Sequence, residues 1–245
     1  MTMMDMKTLT REKQSTSAGV SGVIDIRAYA PRVVPTRDWL AGRAAPAFAD
    51  QAATVTAIAP VGEGRIAALR SDELVLVLSG EIGVETSRGV FTIMTGRSAV
   101  LPSGLGFGWR AAAGTVAVIV ACPSASGTAA GVVPIDETAP LEPSNSPLAE
   151  LLVGPKPSCR NHTDYRSTTG EFVCGTWDST PYHRRPMLYR HIELMHLLEG
   201  TVTFQDASGS ATFTKGDIVL AARGAETAWI SEVHVKKVYA THRPA

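Results

Sequence analysis

An internal repeat constrains the fold of this 245-residue chain more than any other feature of its sequence. Residues 65–110 align without a gap with residues 185–230, and 11 of the 46 aligned positions are identical. Four of the identical residues are glycines, and Trp109 matches Trp229. Chance is a poor explanation for such matches, because glycines and tryptophans serve turns and packing sites that recur in every copy of a repeated unit. The repeat predicts two copies of one module of about 100 residues.

The segments outside the repeat have a different composition. The first residues are polar and lack the apolar segment of a secretory signal, so they are predicted to form a mobile tail on a cytoplasmic protein. A stretch rich in Pro, Ser and Ala over residues 124–147 separates the modules. The resulting assignment is a disordered tail at 1–22, a first module at 23–125, a linker at 126–139 and a second module at 140–245.

Short apolar runs that end at glycine fill both modules. The first contains ELVLVLSG, VFTIMTG and TVAVIVA, and the second contains ELMHLLEG, TVTF, ATFTKG and VHVKKVYA. Runs of this length suit strands and are too short for helices; one helical turn or two near residues 148–152 is the main exception. The predicted fold class is all-β, with each module a small closed barrel or jelly roll that leaves no exposed sheet edge.

Composition excludes several classes of function. Lys plus Arg equals Asp plus Glu at 23 each, which argues against a nucleic-acid partner, because such proteins need a basic surplus. No apolar run is long enough to span a membrane. The three cysteines, Cys122, Cys159 and Cys174, are odd in number and widely spaced. They fit neither a disulfide framework nor a CxxC metal or redox motif.

The glycine-punctuated strands resemble the two motifs of the cupin superfamily. Glu193 followed after six residues by Gly200 resembles the first motif, and Gly216 with Gly224 resembles the second, with alanine in place of its proline. Trp229 and the segment GTWDSTPYHRRP resemble the cupin subgroup named after ureidoglycine aminohydrolase. The resemblance implies a bicupin of two tandem double-stranded β-helix (jelly-roll) barrels about a pseudo-twofold axis, and it leaves a homodimer open.

The resemblance also implies a metal site, but most of the residues that would bind the metal are missing from the sequence. Cupins typically bind a divalent metal through two histidines and a glutamate of the first motif and one histidine of the second. Met187 and Tyr189 occupy the first two histidine positions, and Thr227 occupies the third. The corresponding residues of the first module are Ala67, Leu69 and Phe107. The standard site is therefore predicted to be absent from both barrels.

Alternation along the strand still predicts a polar lumen in the second barrel. If Glu193 points inward, His191 and Tyr189 share its face, whereas His196 faces the other way. The candidate ligand-binding residues are Tyr189, His191, Glu193, Thr227 and Trp229. His191 and Glu193 could hold a metal weakly, form an acid–base pair, or be a satisfied interior pair. The cofactor is left open: the missing ligands favour none, and the alternative is Mn, Fe, Zn or Ni on His191 and Glu193, with none in the first barrel.

Two further sets of charged residues require partners. In the first barrel Glu73 is a lone lumen carboxylate, which predicts a raised pKa, an arginine partner in Arg65 or Arg70, or a solvent-facing position at the barrel mouth. In the second module, His183, Arg184 and Arg185 could steer an anionic ligand or form a solvated loop.

Trp109 and Trp229 could stack on a ligand or close the barrel end as core residues.

Three functions are compatible with these patterns, and no catalytic residue is assigned. The favoured function is a bicupin that binds a small polar metabolite in its C-terminal lumen, with neither nucleic acid nor membrane as partner. The first alternative is a metal-dependent enzyme resembling ureidoglycine aminohydrolase, and the second is a structural dimerisation scaffold. The absent metal ligands separate the favoured function from the enzyme, and a plugged C-terminal lumen would favour the scaffold.

Overall fold

A computed structural model describes residues 19–123 and 131–244. Most of the predicted tail and the first part of the predicted linker lie outside these ranges. The described chain is mostly strand, which confirms the all-β prediction and the two jelly-roll barrels. Its helical segments are the four-residue helix α1 (Ile26–Tyr29) and the 3-10 turns Ala30–Arg32 and Ala149–Leu151. No helix in these ranges is long and apolar enough to cross a membrane.

In the described part of the chain, twenty-three strands build the two barrels. The first twelve are β1 (Val23–Asp25), β2 (Pro35–Thr36), β3 (Phe48–Ala49), β4 (Thr54–Pro60), β5 (Gly62–Ile66), β6 (Asp72–Ser79), β7 (Glu81–Thr86), β8 (Gly89–Met94), β9 (Ser98–Leu101), β10 (Phe107–Ala111), β11 (Val116–Cys122) and β12 (Val133–Pro134). The others are β13 (Glu142–Ser144), β14 (Leu152–Val153), β15 (Cys159–Arg166), β16 (Phe172–Ser179), β17 (Tyr182–Leu188), β18 (Ile192–Glu199), β19 (Thr201–Asp206), β20 (Gly209–Thr214), β21 (Ile218–Ala221), β22 (Glu226–Ser231) and β23 (Val235–His242).

Each barrel consists of one large and one small sheet. The large sheet of the first barrel has the order β12-β9-β6-β11-β4-β2, with β3 also paired to β4, and its small sheet is β5-β10-β7-β8. In the second barrel the orders are β1-β21-β18-β23-β16-β15-β13 and β14-β17-β22-β19-β20. The central strands of the two large sheets correspond one to one, as the sequence repeat predicts.

The two large sheets pack back to back through one shared apolar core. Residues of the first barrel such as Leu74 and Val118 join residues of the second such as Leu194 and Val238 in this cluster. The alternate residues of the same strands face the lumen of their own barrel, because successive side chains of a strand point to opposite faces. A central strand is therefore buried on both faces, which explains its nearly continuous apolar sequence.

Short strands from outside the repeated segments cover one edge of each large sheet. β1 pairs with β21 of the second barrel, Val23 opposite Ala221, although it precedes the first barrel in the chain. β12, which the sequence assigned to the linker, pairs with β9 of the first barrel. Residues 19–22, assigned to the tail, also contact the second barrel, where Val20 is buried. An uncovered edge would expose unpaired backbone groups, which explains the use of these segments.

The lumen of the first barrel is filled by a side chain from its N-terminal segment. Trp39 is 1% exposed and packs against Phe107 and Trp109, with ring centroids 5.5 and 6.0 Å apart. Its indole N–H donates to Glu73 Oε2 at 3.3 Å. Arg43 Nη2 lies 2.8 and 2.9 Å from the two oxygens of Glu73.

The predicted partners of Glu73 are wrong. Arg65 and Arg70 are exposed, and Glu73 is 2% exposed rather than solvent-facing at the barrel mouth. The countercharge comes from Arg43, which lies 30 residues away in the sequence and carries no motif that relates it to Glu73. Since a buried carboxylate needs a charged or hydrogen-bonding partner, the folded N-terminal segment is part of the first barrel's core.

Replacement of Ile26 by Ala tests the contribution of the segment that covers the second barrel. Ile26 is fully buried in the core shared by the two barrels. We expect Ile26→Ala to lower the free energy of unfolding by about 2–5 kcal/mol, because it leaves a cavity in a packed core. Val34→Ala, at a 75% exposed position, is the control and should change it by about 0.5 kcal/mol or less. Equal urea-unfolding curves for the two variants would contradict this packing.

Replacement of Arg43 by Met tests the buried ion pair of the first barrel. The variant leaves the Glu73 carboxylate buried and unpaired, so we expect it to cost about 3–5 kcal/mol of unfolding free energy. The double variant Arg43→Met, Glu73→Leu removes both charges and should recover most of that loss. If the single and double variants were equally unstable, the cost would come from lost packing rather than from the unpaired charge.

Candidate functional site

The second barrel contains a cavity of about 720 Å³ that opens to solvent. Its walls come from β16, β18 and β23 of the large sheet and from β17 and β22 of the small sheet. The segment that follows β13, with Ser146 and Pro147, also lines it. The exposed residues Arg166 and Arg243 belong to the lining, so the cavity reaches solvent.

An ion pair lies inside this cavity. Lys237 Nζ is 2.8 Å from Glu193 Oε1, and His191 Nε2 is 3.7 Å from Glu193 Oε2. The Lys237 ammonium also contacts two aromatic rings, with Nζ 4.7 Å from the centroid of Trp177 and 4.9 Å from that of Trp229. Both contacts are within cation–π range, so the ammonium is held by a carboxylate and two indoles.

The ion pair holds Glu193 in its charged form. Burial by itself would raise the pKa of the Glu193 carboxyl, but the Lys237 ammonium and the His191 imidazole outweigh it, and the pKa lies well below its usual range. Glu193 is therefore ionised at neutral pH. A carboxylate in this state can accept hydrogen bonds, but it is a poor general acid and a weak base.

A second cationic side chain, Arg184, lies in the wall. Arg184 is 4% exposed, and its Nη2 lies 3.3 Å from the Tyr189 hydroxyl and 3.3 Å from the Thr227 carbonyl oxygen. The Tyr189 ring is 5.4 Å from the ring of His191, centroid to centroid. Burial raises the pKa of the Tyr189 phenol above its usual value despite the nearby Arg184, so Tyr189 stays protonated and neutral.

The structure brings four of the five predicted ligand-binding residues to the cavity: Tyr189, His191, Glu193 and Trp229. Trp229 is 2% exposed, stacks on Tyr182 at 5.8 Å and donates its indole N–H to Ser231, so it is part of the wall. Thr227 does not line the cavity. It is fully buried, and its hydroxyl oxygen is 3.0 Å from the carbonyl oxygen of Gln205 on the neighbouring strand.

Sequence reasoning missed several residues of the cavity wall, namely Trp177, Tyr182 and Lys237. The alternation of β23 places Lys237 on the same face as Tyr239 and Thr241, but no motif relates this strand to Glu193. Within the basic cluster, Arg184 is buried, Arg185 is exposed and His183 is intermediate. These three residues therefore do not form a solvated loop. They are also not all exposed, as a surface that steers a ligand to the cavity would require.

The residues of the second lumen do not fit the cupin metal. In the described ranges, no group of three or more His, Cys, Asp or Glu side chains could hold a metal ion. His191 and Glu193 provide two donors, but the Lys237 ammonium is 2.8 Å from the carboxylate. A divalent cation bound there would be repelled by this fixed positive charge and would compete with it for Glu193.

The two lumens differ at equivalent strand positions. Lys237 is paired with Leu197 in the second barrel, and Ala117 is paired with Val77 at the same place in the first. Arg184 is paired with Trp229, and Gly64 is paired with Trp109. The first barrel therefore has small residues where the second has two cations.

Comparison with known proteins shows which proteins this chain is similar to. Residues 166–239 match the model of the EutQ-like cupin domain. A search of curated proteins found no match. A protein of unknown function from Pseudomonas syringae pv. tomato, of the DUF861 family, is 29% identical, with a TM-score of 0.79 over 84% of this chain and 89% of that one.

More distant structures share the fold alone. A cupin 2 conserved barrel domain protein from Leptotrichia buccalis is 11% identical, with a TM-score of 0.59 over 92% of this chain and 98% of that one. A putative glyoxylate induced protein from Pseudomonas aeruginosa is 12% identical, with a TM-score of 0.53 over 79% and 76%. Together with the two jelly-roll barrels and the match over residues 166–239, these similarities identify the chain as a cupin-fold protein with two barrels.

Proposed function

We propose that the protein binds a small polar metabolite in its second barrel, without the standard cupin metal. The observation that carries the proposal is the contrast between the lumens: Trp39 fills the first, and the second retains a cavity of about 720 Å³ around a buried ion pair. Ligand pockets in proteins typically measure about 300–1,000 Å³ and combine aromatic walls with a few fixed polar groups.

The polar groups of the cavity are held in place before any ligand arrives. Glu193 and Lys237 fix each other, and the rings of Trp177 and Trp229 restrict the lysine further. Groups that are already positioned lose little conformational entropy on binding, so they favour specific recognition. A polar ligand would form hydrogen bonds with this pair in place of its hydrogen bonds with bulk water.

The two alternatives have less support. A metal-dependent enzyme resembling ureidoglycine aminohydrolase needs a donor set that His191 and Glu193 do not complete beside Lys237. A purely structural scaffold, for example in a homodimer, needs no open lumen, yet Met187 lines a cavity instead of filling it. Small-molecule binding accounts for both the cavity and its polar lining.

Filling the cavity with a bulky residue tests the proposal directly. Val173 lines the cavity and carries no charge, so Val173→Trp obstructs the lumen without changing its electrostatics. We expect at least one compound from a panel of carboxylic acids, amino acids, amides and sugars to raise the melting temperature of the wild type in a saturable manner. Val173→Trp should abolish that stabilisation.

The same substitution on the surface provides the control. Val233 is 48% exposed and is absent from the lining, so Val233→Trp should respond to the compound as the wild type does. Differential scanning fluorimetry measures the melting temperature of both variants with and without the compound, and calorimetric titration measures their affinity for it. A compound that binds Val173→Trp as tightly as the wild type would place its site outside the second barrel.

Metal titration separates the proposal from the enzyme alternative. We expect Mn²⁺, Fe²⁺, Zn²⁺ and Ni²⁺ to give no saturable stabilisation, because the Lys237 charge opposes a cation at Glu193. The matched variants are Glu193→Gln and Glu199→Gln, which remove one carboxylate each from the same strand, inside and outside the cavity. Saturable stabilisation by a metal that disappears in Glu193→Gln but persists in Glu199→Gln would favour the metal-dependent enzyme.

A further inference from the structure

We infer that the ligand of the second barrel carries a carboxylate that binds Arg184. The inference rests on the proposed function and names the chemical class of the ligand. The cavity wall contains a buried cation whose hydrogen-bond partners in the described protein are all neutral.

Arg184 is buried without a countercharge. Its guanidinium donates to a phenol and a backbone carbonyl, both through Nη2. Nη1 is buried and has no hydrogen-bond partner, and within residues 19–123 and 131–244 no carboxylate forms an ion pair with this arginine. Leaving a buried cation uncompensated is costly, so such a side chain normally pairs with an anion.

The neighbours of Arg184 cannot supply the negative charge. Tyr189 remains a neutral phenol because burial raises its pKa, and burial likewise raises the pKa of Tyr182 well above its usual value. Glu193 is already paired with Lys237 at 2.8 Å. The missing charge must therefore come from outside the cavity wall.

The cavity as a whole has a net positive charge, which also favours an anionic ligand. Its lining contains more cationic than acidic side chains: Arg166, Arg184, Lys237 and Arg243 against Glu171 and Glu193. A cavity with excess positive charge concentrates anions and disfavours cations. This excess is independent of the hydrogen bonds of Arg184 itself.

The plugged barrel lacks the corresponding cation. Gly64 occupies the position equivalent to Arg184, and a Cβ atom there would lie 2.7 Å from the indole nitrogen of Trp109. The arginine is thus confined to the barrel that keeps a cavity. A planar guanidinium suits a carboxylate, because two of its N–H groups can donate to the two oxygens in parallel.

The test compares carboxylates with their uncharged amides. The probes are acetate, succinate and benzoate, each against the matching amide, with inorganic phosphate as a second anion. We expect the wild type to bind at least one carboxylate about tenfold or more tightly than its amide. Arg184→Met should remove that preference, and Arg184→Lys, which keeps the charge but not the planar fork, should retain part of it.

Arg185→Met is the matched control, because Arg185 is exposed and is the next residue of the same strand. It should bind the carboxylate as the wild type does. If amides bound as tightly as carboxylates, if phosphate bound more tightly than every carboxylate, or if Arg184→Met and Arg184→Lys kept full affinity, the inference would be overturned. Neutral compounds that still bind and are blocked by Val173→Trp would then leave the proposed function standing; a cavity that binds nothing would contradict both.

Discussion

The back-to-back contact between the two large sheets determines which side chains can take part in chemistry. Ile192 and Leu194 of β18 are buried in the shared apolar core, so Glu193 between them must face the lumen. A register shift of one residue would bring that carboxylate into the core between the barrels and expose apolar side chains to the lumen. The position of the candidate site thus follows from an apolar contact that contains none of its residues.

The two barrels share one fold but neutralise their buried lumen carboxylates in different ways. Glu73 is neutralised by Arg43, and the same N-terminal segment brings Trp39 to fill the remaining space. Glu193 is neutralised by Lys237 from a strand of its own barrel, and the space beside it stays open. The ion pair of the first barrel stabilises a filled core. The ion pair of the second barrel lies next to a cavity, where a ligand can reach its polar groups.

Much of the fold could be predicted because it rests on local patterns. Glycine-terminated apolar runs predicted the strands, and alternation placed Tyr189, His191 and Glu193 on one face. The covering strands could not be predicted, because β1 and β12 are two or three residues long and pair with distant edges. The partners of the two lumen carboxylates, Arg43 and Lys237, were missed because long-range charge pairing has no sequence period.

The sequence is sufficient to predict two related β-rich modules, to show that the standard cupin ligands are missing, and to place Tyr189, His191 and Glu193 on one face of a strand. These properties depend on repeat spacing and on which face of a strand each residue occupies. The tertiary structure was needed to show that one lumen is filled and the other open, and that Arg184 is buried without a countercharge. Those properties depend on which distant segments meet, and their free energies come from burial and charge compensation that only the folded chain creates.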